Sequence, residues 1–301
     1  MNEIQNKILK LKKEKNALIL AHYYQTIDIQ EVADFVGDSF ELAKIAQKAE
    51  EPLIVLCGVR FMAESAKILN PDKKVLLPNK DAGCLMADMI TPSDVIKMKE
   101  EHPDAAVMCY VNSTAETKTY CDICCTSSSA VKIAKALKEK EIIFVPDRNL
   151  GSFVAEQVPE KEFYFYRGFC PIHNVVRDEE VASARKKYPD ALVLVHPECN
   201  KAVRDAADYV GSTSGIIKYV QESPCKEFII GTEIGVVERI NKYVEGKIAY
   251  LLSTHLSCVN MKKTKIGDVL NALTNEEENI ELDQEIMNKA RFTLERMVNI
   301  N

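Results

Sequence analysis

The sequence predicts an α/β protein made of three homologous units. Each unit would be a three-layer αβα domain with a short parallel sheet. The three would pack around a pseudo-threefold axis and share one central active site. Three observations carry this expectation. Short apolar runs of about five residues alternate with longer helical patterns, and strands that apolar on both faces belong in parallel sheets covered by helices. The alternation recurs at spacings of 86 and 88 residues. Four landmarks keep that spacing through all three copies, which chance explains poorly.

The elements follow in order. The chain opens on MNEIQNKILKLKKEKN, a charged, helical leader. The first landmark is an apolar run, NALILAH (16–22), DAAVMCY (104–110) and DALVLVH (190–196), ending on His22, Tyr110 and His196. The second is a short strand leading into a helix: ADFVGDSFELAK (33–44), CDICCTSSSAVK (121–132) and ADYVGSTSGIIK (207–218). It aligns Asp34, Asp122 and Asp208, then Ser39, Ser127 and Thr213, then Lys44, Lys132 and Lys218. Helical patterns continue over 39–50, 129–140 and 215–224. The third is another apolar run, PLIVLCG (52–58), EIIFVPD (141–147) and EFIIGTE (227–233). The fourth is a cysteine: Cys84, Cys170 and Cys258. We therefore divide the chain into repeats at 1–88, 89–174 and 175–262, with a segment 263–301 that packs back on them. Units this small bury too little surface to stand alone, so they should pack together.

Composition narrows the function. Of 301 residues, 47% are hydrophobic and 28% charged, a balance that supports a real core. Lys and Arg number 39 against 45 Asp and Glu, a net charge of −6 that argues against a nucleic-acid or anionic-membrane surface. No apolar run approaches the ~18–20 residues of a membrane span. The first residues carry no secretory pattern, so the expected location is the cytoplasm. Ten cysteines in a reducing compartment are candidates for metal or redox chemistry rather than disulfides. The GxGxxG, GxxxxGK[ST] and HExxH patterns are absent, so dinucleotide, P-loop and zincin readings lose their usual support.

Ligands of open α/β sheets bind beyond the carboxyl ends of the strands, where the aligned residues fall. A threefold arrangement would bring Cys84, Cys170 and Cys258 to equivalent places around one axis. Three converging thiolates suit zinc completed by water, or a [4Fe-4S] cluster with one iron open to substrate. Cys121, Cys124 and Cys125 align with small or apolar residues of the other units and read as core, as do Cys57, Cys109, Cys199 and Cys225. Ser39, Ser127 and Thr213 stand where hydroxyls can cap a helix or hold an anion. His22 and His196 share a repeat position, and His173 follows Cys170 by three residues. Glu198, two residues after His196, suits a general base, and Tyr23 and Tyr24 follow His22.

Beyond these patterns, 21-AHYYQ-25, 37-GDS-39, 83-GC-84, 110-YVNSTAETK-118, 126-TSSSA-130, 146-PDRNLG-151, 168-GFCPIH-173, 196-HPE-198, 211-GSTSG-215, 232-TEIG-235 and 258-CVNMK-262 resemble the quinolinate synthase family over about residues 17–265. The resemblance implies three α/β domains around a pseudo-threefold axis and a [4Fe-4S] cluster on Cys84, Cys170 and Cys258. It implies a transferase of NAD biosynthesis that condenses iminoaspartate (iminosuccinate) with dihydroxyacetone phosphate, losing phosphate and water. The implied substrate-binding residues are His22, Ser39, Tyr110, Val111, Asn112, Ser127, His196, Pro197, Glu198 and Thr213. The implied catalytic residues are Tyr24, His173, His196 and Glu198, with an open iron acting as Lewis acid. Iminoaspartate would come from an aspartate oxidase or dehydrogenase as a transient partner. The sequence departs from the family at Ser129, where TSSNA has Asn, and at Val259, where CPNMK has Pro; both bear on loop geometry. A redox-control CxxC is not expected, since no cysteine follows Cys258. Two rival readings use the same three cysteines: a zinc-dependent lyase or hydrolase, and a non-catalytic iron–sulfur sensor.

Overall fold

The computed structural model describes residues 1–299. It contains three four-stranded, all-parallel sheets, with helices as the connections between strands. The first sheet holds β1 (Ala17–His22), β2 (Phe35–Gly37), β3 (Leu53–Cys57) and β4 (Lys74–Leu76) in the order β2-β1-β3-β4. The second holds β5 (Ala106–Tyr110), β6 (Ile123–Cys125), β7 (Glu141–Val145) and β8 (Glu162–Phe165), ordered β6-β5-β7-β8. The third holds β9 (Leu192–Val195), β10 (Tyr209–Val210), β11 (Glu227–Gly231) and β12 (Ile248–Leu251), ordered β10-β9-β11-β12. This is the predicted three-unit α/β architecture. The central strands β1, β3, β5, β7, β9 and β11 are the apolar runs, almost wholly buried. Each sheet also carries a short edge strand, β4, β8 or β12, that the sequence patterns do not single out.

The repeat is physical as well as textual. Asp34, Asp122 and Asp208 play one role three times. Their carboxylates accept the backbone N–H of Ile19 (2.8 Å), Val107 (2.8 Å) and Val193 (2.7 Å) across to the first strand. Each is also paired with a base from the preceding helix: Lys12 at 2.8 Å, Lys99 at 2.9 Å and Arg185 at 2.9 Å. Lys73, Lys161 and Lys247 donate to the last-turn carbonyls of Ala49, Leu137 and Ser223, where a cation complements the helix dipole. Beyond the third sheet, the helix Ile266–Asn275 packs on the leader helix Glu3–Glu14 and on β3. The final helix, Gln284–Asn299, packs on β6 and on the helix Arg60–Leu69.

Candidate active site

Strand ends from all three sheets meet at one cavity of about 250 Å3. His22, Tyr110 and His196 enter it from the ends of β1, β5 and β9. Tyr24, Ser39 and Asn112 border it, as do Ser127, His173, Glu198 and Thr213. Cys84, Cys170 and Cys258 reach the same space. Val111 and Pro197 do not border it. Val111 is buried behind the wall, beside a small adjoining void, with its N–H on the Cys125 carbonyl (2.8 Å). Pro197 is buried in the turn between His196 and Glu198.

The two equivalent histidines share one local device. The backbone N–H two residues on donates to each Nδ1, from Tyr24 to His22 (3.1 Å) and from Glu198 to His196 (3.3 Å). With Nδ1 an acceptor, the proton of each neutral ring sits on Nε2. Burial drives both rings toward neutrality. It takes His22 down to about 3, helped by the neighbouring His196, and His196 down to about 4 against the pull of Glu198. Capping does not occupy the helix-start hydroxyls either. Asp38 caps the helix Ser39–Lys48, accepting from Phe40 and Glu41 (3.0 Å each), and Ser212 caps Thr213–Glu222, accepting from Gly215 (3.1 Å). Ser39 and Ser127 make no side-chain hydrogen bond among the described residues.

A single hydrogen-bonded line crosses the site. The Tyr24 hydroxyl lies 3.1 Å from Thr213 Oγ1 and 2.8 Å from Thr232 Oγ1. Thr232 Oγ1 lies 3.0 Å from His173 Nε2, and His173 Nδ1 lies 2.8 Å from Glu198 Oε2. Tyr110 donates to Glu198 Oε1 at 2.7 Å. A proton on His173 Nδ1, facing the carboxylate, leaves Nε2 to accept from Thr232, which in turn accepts from Tyr24. Burial opposes the Glu198 charge, but His196, His173 and the hydrogen bonds from His173 and Tyr110 prevail and hold it well below the usual carboxylate range. Burial, with the Glu198 charge, pushes the Tyr24 and Tyr110 hydroxyls well above their ordinary value, so both are proton donors. Gly235 lets this line close. A Cβ there would lie 2.7 Å from the Tyr23 carbonyl and 3.1 Å from Tyr24 Cα, so only glycine lets the third unit press this closely on the first.

The cysteines sit in equivalent loops. In each unit the first residue of the helix after the third strand donates its N–H to the carbonyl two residues before the cysteine. The pairs are Arg60 to Ala82 (2.8 Å), Arg148 to Gly168 (2.9 Å) and Ile234 to Leu256 (2.8 Å). Cys170 Sγ lies 3.2 Å from His173 Nδ1. Burial raises Cys84 to about 12 and raises Cys170 and Cys258 as well. Among the described residues no lysine or arginine borders the cavity, so a bound cation is the counter-charge that would ionise three thiols there. The donor set thus fits a metal–sulfur centre. Cys170, His173 and Glu198 also offer donor atoms within 4.8 Å of one another, a group able to hold an ion. Of the other cysteines, only Cys225 is not fully buried, and it packs against the core.

Sequence reasoning assigned no role to Thr232, although it lies in the third apolar run of its unit, one residue past β11. It also passed over Asp147 and Glu233, 86 residues apart and fully buried. Their signal was a carboxylate recurring at one repeat position.

Known proteins resemble the chain along its length. The family model for the quinolinate synthetase A protein matches residues 6–299. A quinolinate synthase of Alkaliphilus metalliredigens is 52% identical over 302 residues, covering 100% of both chains. One from Clostridium perfringens is 51% identical over 295 residues, covering 98% of each chain. One from Clostridioides difficile is also 51% identical, covering 98% of this chain and 97% of that one. With the cavity and its cysteines, these matches make the chain an enzyme that belongs to the quinolinate synthetase A protein family.

Proposed function

We propose that the chain condenses iminoaspartate with dihydroxyacetone phosphate to give quinolinate, phosphate and water, in the cytoplasm and in NAD biosynthesis. The observation that carries this is the single cavity where three half-buried thiols and the Tyr24–Thr232–His173–Glu198 line come together. Cys84, Cys170 and Cys258 would hold one [4Fe-4S] cluster. One feature favours a cluster over a single zinc. Zinc bonds of about 2.3 Å require three sulfurs within roughly 4 Å of each other. Among the described residues, the only donor group within 4.8 Å is Cys170, His173 and Glu198, so Cys84, Cys170 and Cys258 do not all lie that close to one another. When bound, the cluster would supply a Lewis-acidic iron for a departing hydroxyl.

The chain's own residues supply the rest. His22 and His196 present Nε2–H donors, and Ser39, Ser127 and Thr213 present hydroxyls, suited to the carboxylates and phosphate of the substrates. Asn112 Oδ1 is buried without a partner among the described residues and is placed to accept from the substrate nitrogen or a hydroxyl. Tyr24 can take a proton from substrate as it passes its own through Thr232 to His173 Nε2, where the Glu198 carboxylate facing Nδ1 stabilises the imidazolium that forms. Iminoaspartate would be delivered by an aspartate oxidase or dehydrogenase. No described helix is long and apolar enough to cross a membrane.

Anaerobic purification with iron, sulfide and quinolinate assays tests the reading. Iron and acid-labile sulfide near four each per chain, with quinolinate formed from the two substrates, are expected for a [4Fe-4S] enzyme. Zinc without sulfide, or a cluster without turnover, would overturn it in favour of the lyase or the sensor.

A further inference from the structure

Two buried carboxylates lie beside the cysteine loops, outside the hydrogen-bonded line just described. Asp147 and Glu233 are each 0% exposed and stand at the same repeat position, as N-caps of the helices Arg148–Gln157 and Ile234–Tyr243. Each divides its two oxygens in the same way. Asp147 Oδ1 accepts from Asn149 and Leu150 (2.8 Å each), while Oδ2 accepts the backbone N–H of Cys170 at 3.0 Å. Glu233 Oε2 accepts from Gly235 at 2.7 Å, while Oε1 accepts the backbone N–H of Cys258 at 3.2 Å. One oxygen holds the helix and the other holds a cysteine.

The first unit breaks the pattern. Its helix Arg60–Leu69 begins at Val59, which makes no side-chain cap. Valine has no acceptor for the Cys84 N–H. A helix cap alone does not need a buried carboxylate, because serine or threonine caps as well and costs less to desolvate. The second oxygen on a cysteine N–H explains the choice of residue.

We propose that Asp147 and Glu233 are positioning residues for the metal–sulfur centre, each clamping the backbone of one cysteine, with Cys84 left as the unclamped third ligand. This rests on the cluster reading above. One consequence follows from the geometry. The clamped N–H groups are committed to Asp147 and Glu233 and cannot donate to cluster sulfur.

The test uses full-length protein, reconstituted anaerobically with iron and sulfide, and compares Asp147→Ser, Asp147→Asn and Glu233→Gln with the parent. Serine keeps the helix cap but is too short to reach the Cys170 N–H, so its apo form should melt close to the parent. Loaded variants should release iron to a chelator ~10–100-fold faster, the usual scale for losing an outer-shell partner. A freed cysteine N–H can then donate to cluster sulfur, so the midpoint potential should rise in each variant. Parent-like iron release and potential in all three would overturn the clamp and leave the cluster reading standing. A parent chain that binds no iron and sulfide would overturn both. If Asp147→Ser fails to fold, the Glu233→Gln release rate decides.

Discussion

Thr232 shows how much one hydroxyl can carry. It lies between Tyr24 and His173 and must accept from one while donating to the other. Valine has nearly the same shape but neither accepts nor donates. Thr232→Val should keep the iron content and break the line, lowering kcat ~10²-fold or more with little change in KM, while Thr232→Ser should retain most activity. Tyr24→Phe and Glu198→Gln interrupt the same line and should lose ~10²–10⁴-fold in kcat with the cluster spectrum intact. Steady-state quinolinate formation measures all four. A Thr232→Val enzyme turning over at the parent rate would show that protons do not travel this way. The proton positions on His22 and His196 follow from a backbone contact two residues on, so their identity was legible in the sequence and their tautomer was not.

At the scale of elements, the central strands and the helices after them were legible because their apolar runs are buried on both faces. The edge strands β4, β8 and β12 were not: they are only three or four residues long, and β4, β8 and β12 all begin on a solvent-exposed residue. The aligned aspartates were legible as a pattern, but their work was not, because it joins residues 15 apart through a backbone N–H. Replacing Asp34, Asp122 or Asp208 by Ala should cost about 1–3 kcal/mol each, the range for a buried N–H losing a charged acceptor. Urea unfolding of the three variants checks this, and a near-neutral result at all three would reduce the motif to surface ion pairing. Glu276 makes a second element-scale case. It ends the helix Ile266–Asn275 in the left-handed region (φ 55°) and bridges Lys15 (2.7 Å) and Lys74 (2.8 Å). Hydrogen bonds from Lys15 and Lys74 lower its carboxyl to about 2. A depressed folded-state value means stabilisation that is present above the ordinary 4.5 and fades as pH falls toward about 2. The pairs are solvent-accessible, so the increment is at most about 1 kcal/mol. The melting difference between parent and Glu276→Gln should therefore shrink between pH 6 and pH 2, with the parent the more stable at the higher pH.

Across the whole molecule, the three units meet at the site. The line from Thr213 to Tyr110 passes through residues of all three repeats, and each repeat contributes one half-buried cysteine. A group held by all three cysteines ties the units together, and binding that favours only the folded state raises its stability. A site filled a hundredfold above its dissociation constant contributes about 2.7 kcal/mol. The loaded protein should therefore melt several degrees above the chelator-treated protein, at about 2–4 °C per kcal/mol. On the proposed ligand set, Cys84→Ala, Cys170→Ala and Cys258→Ala should each abolish both the difference and the activity, because each would remove the anchor of one unit. Cys121→Ala and Cys124→Ala lie in the buried core of the second unit and should lower the melting temperature of both forms alike while leaving the difference intact. Anaerobic calorimetry of the loaded and stripped forms reads this directly. A difference erased by Cys124→Ala but kept in Cys170→Ala would move the metal centre to the second unit's core and leave the cavity without one.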